Sequence, residues 1–238
     1  MNRIVMMLSR NITKLPGLFY KLNHYAKHTD AYPEQEKYDH IRYMFQLALA
    51  KGNVQLQVTG QDNIPEENGY ILYANHQGLF DVVALVANFP GPLACVFKQE
   101  LRNVPMLKQI IACTKSFAMD RQDVRQSLTV IKAVTEEVKK GRNYLIFPEG
   151  TRSKLGNTMV DFHAGSFKAA MKAKCPILPV AFIDSFKVLD QKGSALVSVQ
   201  MHYLSPITYE EYKDMTGVEL AALVKSRIQT AIEKHSDC

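Results

Sequence analysis

A histidine and an aspartate stand five positions apart, as His76 and Asp81, just after an apolar run at residues 70–74. An imidazole with a carboxylate partner is a general base, because the carboxylate fixes the tautomer and stabilises the imidazolium ion. On one continuous helix the two side chains would point about 140° apart. A strand–turn–helix corner brings them together, and Gly78 permits its sharp turn. The alternative is structural: the histidine caps a loop while Asp81 caps a helix.

A second polar block, Phe-Pro-Glu-Gly-Thr-Arg-Ser at residues 147–153, follows another apolar run. Pro148 ends the strand that this run predicts. Gly150 lets a backbone amide approach a ligand, and Arg152 with the hydroxyls beside it suits a phosphate. The alternative is a turn with a surface salt bridge. The sequence has no G-x-S-x-G nucleophile motif, so a catalytic His76 would activate a substrate hydroxyl directly.

The surrounding sequence predicts the elements that position both blocks. From residue 54 onward, short apolar runs alternate with helical stretches, which predicts an α/β fold with a largely parallel mixed sheet flanked by helices. Sites in such sheets lie at the carboxyl ends of strands, where both blocks fall. The predicted strands cover residues 54–58, 70–74, 94–97, 116–119, 144–147, 177–182 and 195–203, and the predicted helices cover 79–88, 103–112, 122–140, 164–173 and 217–235.

Residues 1–52 predict a basic amphipathic element of two helices. The first 29 residues hold five Lys and Arg and no acid, so they carry nearly all of the net charge of +6. Apolar residues at positions 4, 8, 12, 15, 19 and 22 share one helical face, and Pro16-Gly17 should kink or break that helix. A second apolar stripe ends at Gly52. Such a hairpin either lies in a bilayer interface or packs on the body of the protein.

Composition excludes several other classes of protein. The chain has 238 residues, 47% hydrophobic and 22% charged, which is typical of a folded globular protein and not of a disordered chain. Its four cysteines lie far apart, which argues against a disulfide scaffold, a zinc finger or a dithiol redox site. No apolar run reaches the ~20 residues that a transmembrane helix needs, and none fits a signal peptide.

Taken together, the two polar blocks resemble those of the glycerolipid acyltransferases, above all the bacterial type of 1-acyl-sn-glycerol-3-phosphate acyltransferase. The resemblance covers roughly residues 54–205 and rests on N-H-x-x-x-x-D at 75–81 and F-P-E-G-T-R-S at 147–153. It implies an acyltransferase α/β domain at 53–238, after the helical element of 1–52. The implied reaction moves a fatty acyl group from a thioester to the free hydroxyl of 1-acyl-sn-glycerol 3-phosphate, which gives phosphatidic acid.

The resemblance also implies a role for each matching residue. His76 is the base and Asp81 its partner. Looser matches, F-A-M-D-R at 117–121 and K-Q-E-L at 98–101, add two cations near the acceptor phosphate. The family often has Ser two residues after the histidine, where this chain has Gly78. The implied substrate-binding residues are Lys98, Arg121, Glu149, Gly150, Thr151 and Arg152.

The expected partners are an anionic membrane surface, lysophosphatidic acid, and a thioester donor that is either acyl-coenzyme A or acyl-carrier protein. No metal or resident cofactor is expected. The expected location is the cytoplasmic face of a membrane, as a peripheral or monotopic protein. Two alternatives stay open: the same chemistry on glycerol 3-phosphate or another lysophospholipid, and a non-catalytic lipid-binding protein of the membrane. A nucleic-acid binder is disfavoured, because no reader motif accompanies the basic arm.

Overall fold

The computed structural model describes residues 2–120 and 122–236, and its centre is a seven-stranded sheet. The spatial order of the strands is β1-β7-β6-β2-β5-β3-β4, and every neighbouring pair is parallel except β6 with β7. The predicted largely parallel mixed sheet is therefore confirmed. The strands are β1 (Val54–Thr59), β2 (Ile71–Ala74), β3 (Leu93–Lys98), β4 (Phe117–Met119), β5 (Asn143–Ile146), β6 (Ile177–Ile183) and β7 (Val197–Tyr203).

Ten α-helices flank this sheet in the described part of the chain. They are α1 (Arg3–Ser9), α2 (Leu15–Lys27), α3 (Glu34–Lys51), α4 (Phe80–Asn88), α5 (Leu107–Thr114), α6 (Val124–Lys139), α7 (Lys168–Ala173), α8 (Phe186–Leu189), α9 (Tyr209–Tyr212) and α10 (Gly217–Ser236). No helix within residues 2–120 and 122–236 is long and apolar enough to cross a membrane.

Two hydrophobic cores lie on opposite faces of the sheet. Along β2, Leu72 and Ala74 join the core formed with α1 to α5, whereas Ile71 and Tyr73 join the core formed with α6, α7, α9 and α10. Each central strand is thus buried on both faces, which explains why its sequence is continuously apolar instead of alternating.

Strand direction defines one edge of the sheet, which we call the carboxyl edge: the carboxyl ends of β2 to β6. Because β7 runs antiparallel to β6 and β1 runs parallel to β7, the amino ends of β1 and β7 lie at this edge as well. Both polar blocks follow strands that end here. The opposite, amino edge carries the starts of β2 to β6.

The N-terminal helices pack onto this body and share its core through Met7, Leu22 and Tyr25. The predicted break at Pro16-Gly17 is wrong in position: α1 already ends at Ser9, and Pro16 lies in the first turn of α2, where its missing N–H costs no hydrogen bond. The buried face of α1 also differs from the predicted stripe. Met6 and Met7 are buried, while the predicted stripe residues Ile4, Leu8 and Ile12 are exposed.

Arg3 anchors α1 at the carboxyl edge of the sheet. Its buried guanidinium donates to the carbonyls of Val188 (2.9 Å), Gly52 (2.6 Å) and Ala195 (2.8 Å). Val188 follows β6, Gly52 precedes β1 and Ala195 precedes β7. The first helix is therefore held beside the two polar blocks.

Two helix boundaries differ from the prediction for local reasons. The predicted helix 103–112 starts only at Leu107, because residues 103–106 form a turn in which Met106 has a φ of 71°. The predicted helix 164–173 opens with a 3₁₀ turn, Ala164–Phe167, before α7.

Candidate active site

The corner between β2 and α4 brings His76 and Asp81 together. His76 lies two residues after the end of β2, and Asp81 lies in the first turn of α4. His76 Nδ1 and Asp81 Oδ2 are 2.8 Å apart. Asn75 fixes the start of the corner, since its side chain donates to the carbonyl of Phe182 on β6 (2.9 Å) and accepts from the amide of the same residue (2.7 Å).

Asp81 is fully buried and surrounded by hydrogen-bond donors. Its Oδ2 also accepts from the amides of Gln77 (2.7 Å) and Gly78 (3.0 Å). The same oxygen accepts the hydrogen bond that His76 donates from Nδ1, which assigns the ring proton to Nδ1. The other ring nitrogen of His76, Nε2, then carries no proton and has a free lone pair. The histidine side chain is 20% exposed, so that nitrogen is within reach of a substrate.

The second block, residues 147–153, forms hydrogen bonds with the backbone of His76. Glu149 Oε1 accepts the His76 amide (2.6 Å), and the Ser153 amide donates to the His76 carbonyl (2.9 Å). The imidazole stacks on the Phe147 ring with 4.0 Å between centroids. The two blocks, far apart in sequence, thus form one structure.

The Glu149 carboxylate holds the backbone of His76 in place. It is 1% exposed, and its other oxygen, Oε2, accepts the amide of Val160 (2.9 Å). Burial raises the pKa of this carboxyl, and the two amide hydrogen bonds oppose that shift. Both carboxylate oxygens are therefore used by backbone amides; the substrate-binding role implied for Glu149 stays a prediction.

The remaining residues of the block face outward. Gly150 has a φ of 72°, in the left-handed region, and turns the chain so that Thr151 is exposed. Arg152 is partly exposed, and its Nη1 forms an ion pair with Asp190 Oδ1. Asp190 follows α8, so the segment after β6 also reaches the site.

The two other predicted cations have different outcomes. Lys98 ends β3 at the carboxyl edge, is exposed, and pairs with Glu100 at 2.8 Å. It shares the edge with His76, but within residues 2–120 and 122–236 it forms no hydrogen bond or ion pair with either block. Arg121 lies outside the described residues.

Gly78 is needed for space, although the sequence suggested that it is needed for a turn. Its φ is not positive, but a Cβ there would lie 2.3 Å from Asp190 Oδ2. That oxygen accepts the amide of Leu79 (3.1 Å) just before α4. Asp190 therefore satisfies an amide at the helix start, a role that a serine at position 78 would be suited to.

Several supporting residues were missed from the sequence: Gln77, Asn157, Ser185 and Asp190. A signal for Ser185 exists, because Asp184-Ser185 follows the apolar β6 directly, as the two recognised blocks follow β2 and β5. Across residues 2–120 and 122–236, no three His, Cys, Asp or Glu side chains are grouped as metal ligands.

The fold and site define an α/β protein that presents a His-Asp pair and an arginine at the carboxyl edge of its sheet. A family model described as Acyltransferase matches residues 55–183, more than half of the chain. This chain belongs to that acyltransferase family.

Individual relatives agree with this assignment. The chain is 25% identical over 195 residues to the 1-acyl-sn-glycerol-3-phosphate acyltransferase of Borreliella burgdorferi, covering 81% of this chain and 78% of that protein. It is 34% identical over 171 residues to the Salmonella typhimurium protein of the same name, covering 70% and 69%. The crystal structure of the 1-acyl-sn-glycerophosphate acyltransferase PlsC from Thermotoga maritima shares the fold, with a TM-score of 0.77 and 20% identity over 98% of this chain and 97% of that one.

Proposed function

We propose that this protein is an enzyme that transfers a fatty acyl group from a thioester to the free hydroxyl of 1-acyl-sn-glycerol 3-phosphate, giving phosphatidic acid. The observation that carries the proposal is the His76–Asp81 pair, 2.8 Å apart, with the histidine partly open at the edge that also carries Arg152. The names of the relatives support the acceptor.

His76 Nε2 removes the proton from the acceptor hydroxyl as its oxygen attacks the thioester carbonyl. The C–O bond forms, and the carbonyl electrons move to a tetrahedral oxyanion. When the oxyanion collapses, the C–S bond breaks and His76 returns the proton to the leaving thiolate. Asp81 stays ionised and stabilises the imidazolium between the two transfers. No protein nucleophile is needed, so no acyl-enzyme forms.

The acceptor phosphate is proposed to bind Arg152, with the Thr151 hydroxyl beside it. A guanidinium donates up to five hydrogen bonds, and the ion pair with Asp190 uses Nη1, so further donors are left for a phosphate. Lys98, which ends β3 at the carboxyl edge, is proposed as an additional cation that binds the acceptor, and Arg121 is proposed for the same role on the family resemblance.

An acyl chain is proposed to occupy a cavity of about 320 Å³ between α6 and the sheet. The cavity reaches Phe147, whose ring stacks on His76, so a chain inside it could present its carbonyl to the base. Its walls are mainly apolar and include Val96, Met119, Leu128, Ile131, Ile146 and Phe147. The co-substrate is proposed to be acyl-coenzyme A or acyl-carrier protein, with no resident cofactor.

A peripheral position on an anionic membrane surface is proposed as well. Ile4, Val5 and Leu8 are exposed on α1, which Arg3 holds at the carboxyl edge. Exposed apolar residues also follow β2, β3 and β5, as Leu79, Val104 and Leu155. Arg10, Lys14, Lys21 and Lys27 are all exposed, and each basic residue near an anionic leaflet contributes about 1 kcal/mol. The cytoplasmic leaflet is the anionic one, which supports that face.

The test is acyl transfer to lysophosphatidic acid in vesicles, with acyl-coenzyme A and acyl-carrier protein offered in parallel. The wild type should form phosphatidic acid, and His76→Ala should lose about 10²-fold or more, the usual contribution of a general base. His28→Ala, which removes an exposed histidine, is the matched control and should keep full activity. Absence of product with both donors, from folded vesicle-bound protein, would contradict the acceptor; glycerol 3-phosphate and other lysophospholipids would then be compared.

A further inference from the structure

Ser185 contacts the carboxylate of the His76–Asp81 pair from the far side. It follows β6 by two residues and is fully buried. Its hydroxyl donates to Asp81 Oδ1, the oxygen that His76 does not contact. The three other donors to Asp81 all bind Oδ2. Among the described residues, Ser185 is therefore the single hydrogen-bond partner of Oδ1.

Gln77 holds the backbone of Ser185 beside Asp81. Its Oε1 lies 2.8 Å from Ser185 Oγ and also accepts the Ser185 amide at 2.9 Å. A serine hydroxyl has one hydrogen, and a buried carboxylate oxygen is a stronger acceptor than an amide oxygen that already has a donor. The hydrogen therefore goes to Asp81, and Gln77 Oε1 is satisfied by the amide.

The orientation of Gln77 is itself determined by its neighbours. Its Nε2 donates to Asn157 Oδ1 (2.8 Å), and Asn157 Nδ2 donates to Asp184 Oδ1 (3.1 Å). Asp184 has a φ of 64°, in the left-handed region that aspartate tolerates, and its amide donates to Asn157 Oδ1 (2.8 Å). This chain of hydrogen bonds holds Ser185 against Asp81 on a segment that is distant in sequence from both motifs.

We infer that Ser185 is a positioning residue of the reaction: its hydroxyl holds Asp81 Oδ1, which keeps Oδ2 aligned on His76 Nδ1. Without it, Oδ1 has no donor among the described residues, and only the three hydrogen bonds to Oδ2 resist rotation of the carboxylate about its Cβ–Cγ bond. The imidazole would then spend less time in the orientation that receives the acceptor proton. Because Ser185 is fully buried, it touches neither substrate, and its loss should leave substrate binding unchanged. The inference rests on the proposed role of His76 as the base.

The test measures kcat and both KM values for Ser185→Ala and Ser185→Thr. Ser185→Ala should lower kcat about tenfold, a part of the 10²-fold or more that a general base contributes, with both KM values within about twofold of wild type. Ser185→Thr keeps the hydroxyl and should recover most of kcat. Thr114→Ala is the matched control, because Thr114 is also a buried hydroxyl, donating to Ile110 O at the amino edge of the sheet, and its loss should leave kcat unchanged.

Full kcat in folded Ser185→Ala would overturn the inference, as would a rise in KM at constant kcat or an equal loss in Thr114→Ala. If Ser185→Ala does not fold, Ser185→Cys replaces it: a thiol of similar size is a weak donor and should lose several-fold in kcat, and a fully active cysteine variant overturns the inference. His76→Ala separates the two proposals. An inactive His76→Ala beside a fully active Ser185→Ala removes only the inference, whereas an active His76→Ala removes the proposed base and the role of Ser185 with it.

Discussion

The carboxylate of Asp190 contacts both the histidine corner and the arginine block. Its Oδ1 pairs with Arg152, and its Oδ2 accepts the amide of Leu79 at 3.1 Å. The space for this carboxylate exists because residue 78 has no side chain. Asp190 thus holds the guanidinium of Arg152 at one nitrogen, and the other N–H donors of Arg152 are directed away from Asp190. If Arg152 binds the acceptor phosphate as proposed, the glycine at position 78, where the family often has serine, affects that binding through Asp190.

Gly78→Ala should displace Asp190 and release Arg152. We expect the KM for lysophosphatidic acid to rise about tenfold, equivalent to about 1.4 kcal/mol, with kcat within a few-fold of wild type. Steady-state kinetics with the acceptor varied at saturating donor would measure this effect. Asp190→Ala should raise the same KM to a similar extent. In the Asp190→Ala background, Gly78→Ala should add little, because the 2.3 Å contact is gone and a 3.3 Å contact with Phe186 Cα remains. A lower KM in Asp190→Ala would show that the carboxylate competes with phosphate instead of positioning the arginine.

At the scale of elements, apolar patterns predict the strands well and the surroundings of a helix poorly. β2, β5 and β6 are buried on both faces, so their continuous apolar runs have one interpretation. Helical spacing in α1 also identifies an apolar face, but it cannot say what covers that face. The face with Met7 packs into the core, while the face with Ile4 and Leu8 is exposed.

The same limit applies to the site. His76 and Asp81 are close in sequence and follow a recognisable strand, so their meeting at a corner could be predicted. Ser185 and Asp190 arrive on a segment about 100 residues later, and only the pairing of β2 with β6 brings that segment to Asp81. Strand order is not encoded in local spacing, which is why sequence analysis missed both residues.

The exposed apolar side chains of α1 and of the turn that follows it should determine membrane binding. Ile4→Ser, Leu8→Ser and Ile12→Ser together remove apolar side chains that are 41%, 45% and 66% exposed, so the fold should be little affected. We expect sedimentation with anionic vesicles to fall at least tenfold, because interfacial binding scales with the apolar area inserted. Activity on a water-soluble short-chain lysophosphatidic acid should be kept within about twofold, since kinetics there need no insertion.

Tyr43→Ser provides the matched control for these changes. Tyr43 is an exposed aromatic residue on α3, next to Arg42, which contacts the Pro90 carbonyl near the amino edge. Its loss should leave vesicle binding unchanged. If the triple variant bound vesicles as well as the wild type, a docking role for α1 would be contradicted. The helix would then serve only to pack on the body of the protein.

At the scale of the whole molecule, the two edges of the sheet have separate chemistry. The reaction is proposed for the carboxyl edge, whereas His202 is buried near the end of β7, toward the amino edge. Its Nδ1 lies 2.7 Å from Thr59 Oγ1, and its ring stacks on His235 at 4.2 Å. Burial, followed by repulsion from His235, lowers the pKa of His202 from 6.5 to about 4.

This shift makes global stability depend on pH independently of catalysis. Between the lowered pKa of His202, about 4, and its unfolded value of 6.5, the unfolded chain binds more protons than the folded chain. The contribution of His202 to the free energy of unfolding is therefore present above pH 6.5 and is lost as the pH falls toward 4. The full loss is about 3 kcal/mol, and about 2 kcal/mol of it has occurred at pH 5. For a chain of this size, that corresponds to a fall in Tm of about 4–8 °C between pH 8 and pH 5.

Glu149 acts with the opposite sign, since burial raises the pKa of its carboxyl. The informative quantity is therefore the difference between wild type and His202→Gln, which holds the Glu149 contribution constant. We expect thermal unfolding of His202→Gln to show a smaller fall in Tm between pH 8 and pH 5, with His28→Ala matching the wild type. If His202→Gln kept the full fall, His202 would not be the group that protonates on unfolding, and the acid sensitivity would have to come from carboxylates paired in the native state.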